Sequence, residues 1–161
     1  MTAPPVEELR REVRDAFSRR PYPGDDRITR RRPGGPDEAE EVWRLYRGAE
    51  WPQVVEAGRR RNLRDDLGSL TFDGFAYYLP AFLELALDAD RRFDLDETLA
   101  SYLWSFPEDV SARLGPAEKR AVVGVLEFLA DEFDRRGYVQ NNARAALEHY
   151  WALFTDEELG R

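Results

Sequence analysis

The 161-residue chain carries 42% apolar and 12% aromatic residues, no cysteine, and 32 acids against 24 bases, for a net charge of −8. A chain of this length buries about 70% of its unfolded surface, and the lack of cysteine excludes disulfides, thiolate metal sites and cysteine nucleophiles. No apolar run reaches the roughly 18 residues of a membrane span, and the opening MTAPPVEELRREVRD has no signal-peptide core. The expectation is a soluble, cytoplasmic, acidic protein folded as one domain over residues 1–161.

Periodicity reads as helix along nearly the whole chain. Pro4 and Pro5 precede Val6, Leu9, Val13 and Phe17, whose three- and four-residue spacing predicts a first helix. Residues 18–36 break the pattern. Within them Pro21-Tyr22-Pro23-Gly24 suits a type II turn, because glycine accepts positive φ. A loop of this length is either ordered for a purpose or partly disordered. A second helix opens at Pro36, places Asp37, Glu38, Glu40 and Glu41 at its positive end, turns Val42, Trp43 and Tyr46 to one side and stops at Gly48. Trp51-Pro52 opens a short third helix through Val54, Val55 and Ala57, and Leu63 and Leu67 continue an apolar side.

The strongest local pattern predicts a helix over 72–87, with Thr71 as N-cap and Asp73 in the first turn. Phe75, Tyr78, Leu79, Phe82, Leu83, Leu85 and Ala86 cover more than half its circumference, so this helix is expected at the centre, kinked where Pro80 removes a hydrogen bond. Tyr77 and Tyr78 point about 100° apart on it. One is expected to face the core and the other to need a polar partner or a groove. Beyond an acidic turn, a helix from Asp96 to Phe106 is closed by Pro107, a long helix runs from Pro116 to Gly137, and a last one runs from the Asn141 cap through Phe154. Trp43, Trp51, Trp104 and Trp151 are expected mainly in the core. The fold class is therefore all-α: an irregular bundle of six or seven helices around a Pro-kinked central helix (72–87), with the 18–36 loop and the arginines outside.

Pro21-Tyr22-Pro23-Gly24-Asp25-Asp26, then Trp51, then Leu70-Thr71-Phe72-Asp73-Gly74-Phe75-Ala76-Tyr77-Tyr78-Leu79-Pro80-Ala81-Phe82-Leu83 resemble a bacterial family of small proteins known only as a domain of unknown function. The resemblance spans most of the chain. It implies a shared fold and carries no activity, cofactor or catalytic residue.

Asp88, Asp90, Asp94 and Asp96 do not form a calcium loop: counted from Asp88, position 5 is Arg92, position 6 is Phe93 and position 12 is Leu99. They read as a solvated acidic turn. His149 is the only histidine, which excludes a histidine zinc site, and it reads as an ordinary helix-surface or half-buried residue. No metal ligand, cofactor or catalytic residue is assigned. All but one of the bases are arginine, Lys119 being the exception, a bias that codon supply produces. Arg27, Arg30, Arg31 and Arg32, and Arg59, Arg60, Arg61 and Arg64, read as solvated or internally paired, with an anion patch as the sharper alternative.

The candidate binding residues are Tyr22, Asp25, Asp26, Trp51, Asp73, Tyr77 and Tyr78, which converge if the Pro-Tyr-Pro-Gly loop folds back across the start of the central helix. Residues 68–112 hold two bases and nine acids. That surface repels phosphate backbones and attracts a basic protein. The leading expectation is a non-enzymatic protein-binding module, an adaptor or immunity-type protein for a basic partner, with no nucleic acid and no membrane. The alternative is a small carboxylate-and-tyrosine hydrolase with a groove near Tyr22, Asp25 and Tyr77. A homodimer is one way to cover a helix as apolar as 72–87.

Overall fold

The computed structural model describes residues 4–30, 37–88 and 94–161. Among them are α1 (Val6–Phe17), α2 (Asp37–Tyr46), α3 (Trp51–Gly58), α4 (Phe72–Ala86), α5 (Leu95–Ser105), α6 (Pro107–Ser111), α7 (Pro116–Arg135) and α8 (Asn142–His149). Three 3₁₀ turns, Asp25–Arg27, Arg64–Ser69 and Trp151–Leu153, stand between and after them. The fold is all-α. The seven helices expected from periodicity are present; the expected start of the second at Pro36 lies outside the described residues. Among those residues, extended backbone pairs only in an isolated antiparallel bridge between Thr29 and Leu70.

The centre of the molecule is α4, where every residue from Gly74 to Ala86 is buried. An apolar circumference must be covered on all sides, and α1, α3, α5, α6 and α7 of the same chain all pack against it. The helix runs unbroken through Pro80, and Thr71 caps its start by accepting the Gly74 N–H at 2.9 Å. Tyr77 and Tyr78 are both buried, at 5% and 0% exposure. This corrects the expectation that only one would face the core: the 18–30 loop supplies a second apolar wall over Tyr77.

Ion pairs stitch the helices together. Glu84, 2% exposed inside the core, is held by Arg14 Nε at 2.5 Å, while Arg10 donates to the Glu84 carbonyl at 2.9 Å and to Asp88 at 2.7 Å. Asp96, 3% exposed, pairs with Arg136 at 2.8 Å and ties α5 to α7. The acidic turn is therefore not simply solvated, since Asp88 and Asp96 both have guanidinium partners; Asp90 lies outside the described residues.

Three further expectations are corrected. Pro107 does not merely close α5; it opens the short α6, where its missing N–H costs nothing. The last helix ends at His149 rather than Phe154, because the backbone turns at Tyr150 (φ −153°, ψ −63°). The turn buries Trp151 completely and lets its Nε1 donate to the Leu103 carbonyl at 3.0 Å. Trp104 is 41% exposed, while Trp43 and Trp51 only pack partly buried against the core.

Candidate functional site

The Pro-Tyr-Pro-Gly loop does fold back across the start of α4. Gly24 takes the expected positive φ (101°), but its ψ of 148° is extended, which is not a type II turn. The loop then enters the 3₁₀ turn and runs beside residues 69–71. Arg30 N–H donates to the Ser69 carbonyl at 2.9 Å, Thr71 N–H donates to the Ile28 carbonyl at 3.1 Å, and the Thr71 hydroxyl donates to the Arg27 carbonyl. Ile28 is fully buried. Gly74 permits the approach: a Cβ there would stand 2.3 Å from the Ile28 carbonyl oxygen.

This docking brings Tyr22, Asp25, Tyr77 and Tyr78 together. The Tyr22 ring meets Tyr77 edge-on at 5.4 Å, Tyr77 meets Tyr78 at 4.9 Å, and Tyr78 meets Tyr46 at 4.9 Å. The hydroxyls are engaged internally. Tyr22 donates to Asp25, and the Gly48 N–H donates to the Tyr22 hydroxyl at 2.8 Å and to Asp25 Oδ1 at 3.2 Å. The Tyr78 hydroxyl lies 2.6 Å from the Tyr46 carbonyl and 2.8 Å from that of Ala49. Trp51 joins through its backbone, which bears on the Tyr77 hydroxyl. Sequence reasoning missed the inner end of the ladder, where Tyr46 donates to Asp66 at 2.9 Å and Arg61 donates to the same oxygen at 2.9 Å. Periodicity places Tyr46 with Val42 and Trp43 on one side of α2, and its hydroxyl carried no sequence signal.

Burial dominates the acidity of this cluster. It pushes Tyr22, Tyr77 and Tyr78 up, and it pushes Tyr46 well up with the Asp66 charge adding to it. Burial also raises Asp66, against the pull of Arg61 and of the Tyr46 hydrogen bond. Phenols held protonated and bonded to carboxylates and backbone groups of the same chain are struts that fix the loop rather than nucleophiles.

Asp26 and Asp73 do not join the ladder. Asp26 is exposed on the 3₁₀ turn, and Asp73 accepts from Arg113 Nε at 2.8 Å, on the far side of Phe72. The second arginine group is internally paired at Arg59 (Glu56 and Asp88), Arg61 (Asp66) and Arg64 (Asp65). Arg31 and Arg32 lie outside the described residues. His149 is exposed at the end of α8. No group of three or more potential metal ligands occurs among the described residues, and none of their helices is long and apolar enough to cross a membrane.

A second feature was not anticipated: an open groove of about 470 Å³ along α5, with Leu67, Tyr102 and Phe106 as its apolar floor and Arg64, Glu97, Thr98 and Ser101 among its polar walls. Phe106 is 38% exposed at one end, with Trp104 on the neighbouring surface. Asp94, Glu108 and Asp109 are exposed along the same helix pair, and none has a cationic partner among the described residues. Period-2 and period-3.6 reasoning assigns Tyr102 and Phe106 to the core face of α5, and the groove arises only where that face meets the Arg64–Ser69 turn.

An all-α bundle with an aromatic latch and an aromatic-edged groove is the class of protein this geometry defines. Residues 37–155 match the family described as "Family of unknown function (DUF6714)", and the chain belongs to that family. The matched stretch holds α2 to α8, with Trp51, Asp73, Tyr77, Tyr78 and the whole groove; it begins after Tyr22, Asp25 and Asp26. No curated protein and no solved structure matches the chain.

Proposed function

We propose that the protein is a non-enzymatic binding module for a basic protein partner, and that the partner docks along α5 and α6. The observation that carries this reading is the strip itself. Glu97, Ser101 and Trp104 follow one another along the outward face of α5, Phe106 is exposed at its end, and Asp94, Glu108 and Asp109 leave their carboxylates uncompensated. Exposed aromatics beside carboxylates that have no cationic partner are what an interface anchor looks like before its partner arrives. Complementary charge speeds encounter and makes binding weaken with salt. The alternative hydrolase reading needs a free carboxylate at Asp25, whose Oδ1 already accepts from Tyr22 and Gly48.

The test uses the immobilised protein beside a variant carrying Trp104→Ala, Glu108→Lys and Asp109→Lys. The expected result is a basic protein retained from native lysate by the first at low salt, released at raised salt, and not retained by the variant. Equal recovery on both, or retention that salt does not change, would refute the reading.

A further inference from the structure

We propose that Arg30 and Tyr102, at the start of α4, form a receptor for a single carboxylate. The argument begins with what holds Arg30. Its backbone N–H donates to the Ser69 carbonyl at 2.9 Å, its Nε donates to the Leu70 carbonyl at 3.2 Å, and its guanidinium lies over the Phe72 ring at 5.1 Å. Three restraints fix the plane of the fork. No carboxylate or carbonyl among the described residues accepts from either terminal nitrogen; the Tyr102 hydroxyl lies within reach of the guanidinium. A pre-oriented guanidinium fork with no anionic partner matches a carboxylate in geometry and charge.

Tyr102 supplies the second observation. It is 8% exposed, it stacks on Phe75 at 4.1 Å and it packs against Phe106 at 5.0 Å, yet its hydroxyl is buried with no hydrogen-bond partner. Phe106 in turn meets Phe72 at 5.7 Å, which extends the row of aromatics to the ring beneath Arg30. Burial raises the Tyr102 hydroxyl, and the nearby Arg30 and Arg113 guanidiniums act against that rise, which places both cations beside it. A guanidinium only donates. Where Arg30 reaches the oxygen of Tyr102, the phenolic proton still lacks an acceptor. Every unengaged polar group here is therefore a donor, and the missing group is an anionic acceptor.

The charge balance selects which anion. Arg113 sits over the same Phe72 ring at 5.4 Å, but its Nε pairs with Asp73 at 2.8 Å and its Nη1 donates to the Asp109 carbonyl at 2.7 Å. That leaves Arg30 as the guanidinium of the two with no carboxylate partner among the described residues. One guanidinium without a counter-ion matches one carboxylate. The exposed edge of Phe106 gives an apolar or aromatic remainder somewhere to lie. This site does not depend on the protein-partner reading, and its test uses no partner.

The experiment titrates the ¹⁵N-labelled full chain with phenylacetate, with 2-phenylethanol, inorganic phosphate and chloride at matched ionic strength as separate arms. The expected result is a saturable shift of the Arg30 side-chain and Phe106 backbone signals by phenylacetate alone, with a dissociation constant on the order of millimolar. Arg30→Gln abolishes the shift, Tyr102→Phe weakens it about tenfold, and Arg11→Gln, at an exposed arginine on α1, leaves it unchanged. Tyr102→Phe without ligand melts at the same temperature as the parent or above it, because it removes a buried hydroxyl that has no partner; that outcome separates lost binding from lost folding. No saturable shift, a shift that survives Arg30→Gln, an equal response to the alcohol, or tighter binding of phosphate would each overturn the proposal.

Discussion

Gly74→Ala is the sharpest test of how the loop is fastened. Alanine is the better helix former by about 1 kcal/mol, so on an exposed face of α4 the change would stabilise. Here the new Cβ would lie 2.3 Å from the Ile28 oxygen, 2.8 Å from its Cα and 2.9 Å from its carbonyl carbon. All three are backbone atoms that no rotamer change can move, so the loop must retreat by about 1 Å to reach ordinary contact at 3.4 Å. A retreat that size breaks the bonds from Thr71 to Ile28 and Arg27 and from Arg30 to Ser69, at roughly 1 kcal/mol each. It also loosens Ile28, whose full burial contributes about 2 kcal/mol. Partial accommodation reduces the sum, so the net expectation is a loss of about 2–4 kcal/mol. The assay is urea unfolding followed by tryptophan fluorescence, since Trp43 donates to the Asp25 carbonyl and reports on the loop directly. Limited trypsin digestion at Arg27 is run in parallel. Gly124→Ala on α7 is the control: its Cβ meets the Leu9 Cδ2 at 3.2 Å and Glu12 Oε2 at 3.9 Å, both side-chain ends that can yield, so that variant stays within about 1 kcal/mol of the parent. A Gly74→Ala protein within about 0.5 kcal/mol of the parent, with Arg27 still protected, would show that the loop is not held where the reasoning puts it.

Two further outcomes follow from the buried charges. Arg14→Ala leaves Glu84 as an uncompensated carboxylate at 2% exposure, and the expected cost is about 2–3 kcal/mol, discounted because Arg14 itself is half exposed; Arg14→Leu with Glu84→Leu together recovers more than half of it in the same urea assay, and a double variant less stable than the single one would contradict this account. Asp66 has a native pKa raised above its ordinary 3.8, chiefly by burial, so the native state holds its proton more tightly than the unfolded chain does. Its contribution is full below the unfolded pKa and is lost as pH rises through the native one. The difference in unfolding free energy between the parent and Asp66→Asn must therefore shrink with rising pH across that window, and a flat or growing difference would place the carboxylate in a different environment.

The helices were legible because their causes are local. Thr71 ahead of an apolar run, proline at the first turn of α3 and α7, Gly48 and Gly137 at positive φ just past α2 and α7, and Asn141 accepting the Arg144 N–H are all written within a few residues of where they act. The centrality of α4 followed from the same arithmetic, since a rod apolar on most of its circumference has nowhere else to go. The convergence of Tyr22, Asp25 and Tyr77 was legible as a condition, namely that the loop fold back.

What met that condition was not local. Gly74 lies more than forty residues from Ile28 in the chain, and its missing side chain becomes meaningful only when that carbonyl arrives against it. The burial of both Tyr77 and Tyr78, the break of the last helix at Tyr150 and the pairing of Asp88 and Asp96 with arginines share this origin: each depends on a neighbour supplied from another part of the chain. The groove along α5 is the extreme case, because a concavity is a property of two surfaces and neither carries it alone. Amino-acid order determined which segments would coil and which faces would seek cover; only packing decided which hydroxyl found a partner and which, like that of Tyr102, did not, because hydrogen bonds reach about 3 Å while hydrophobic periodicity says only which way a side chain points.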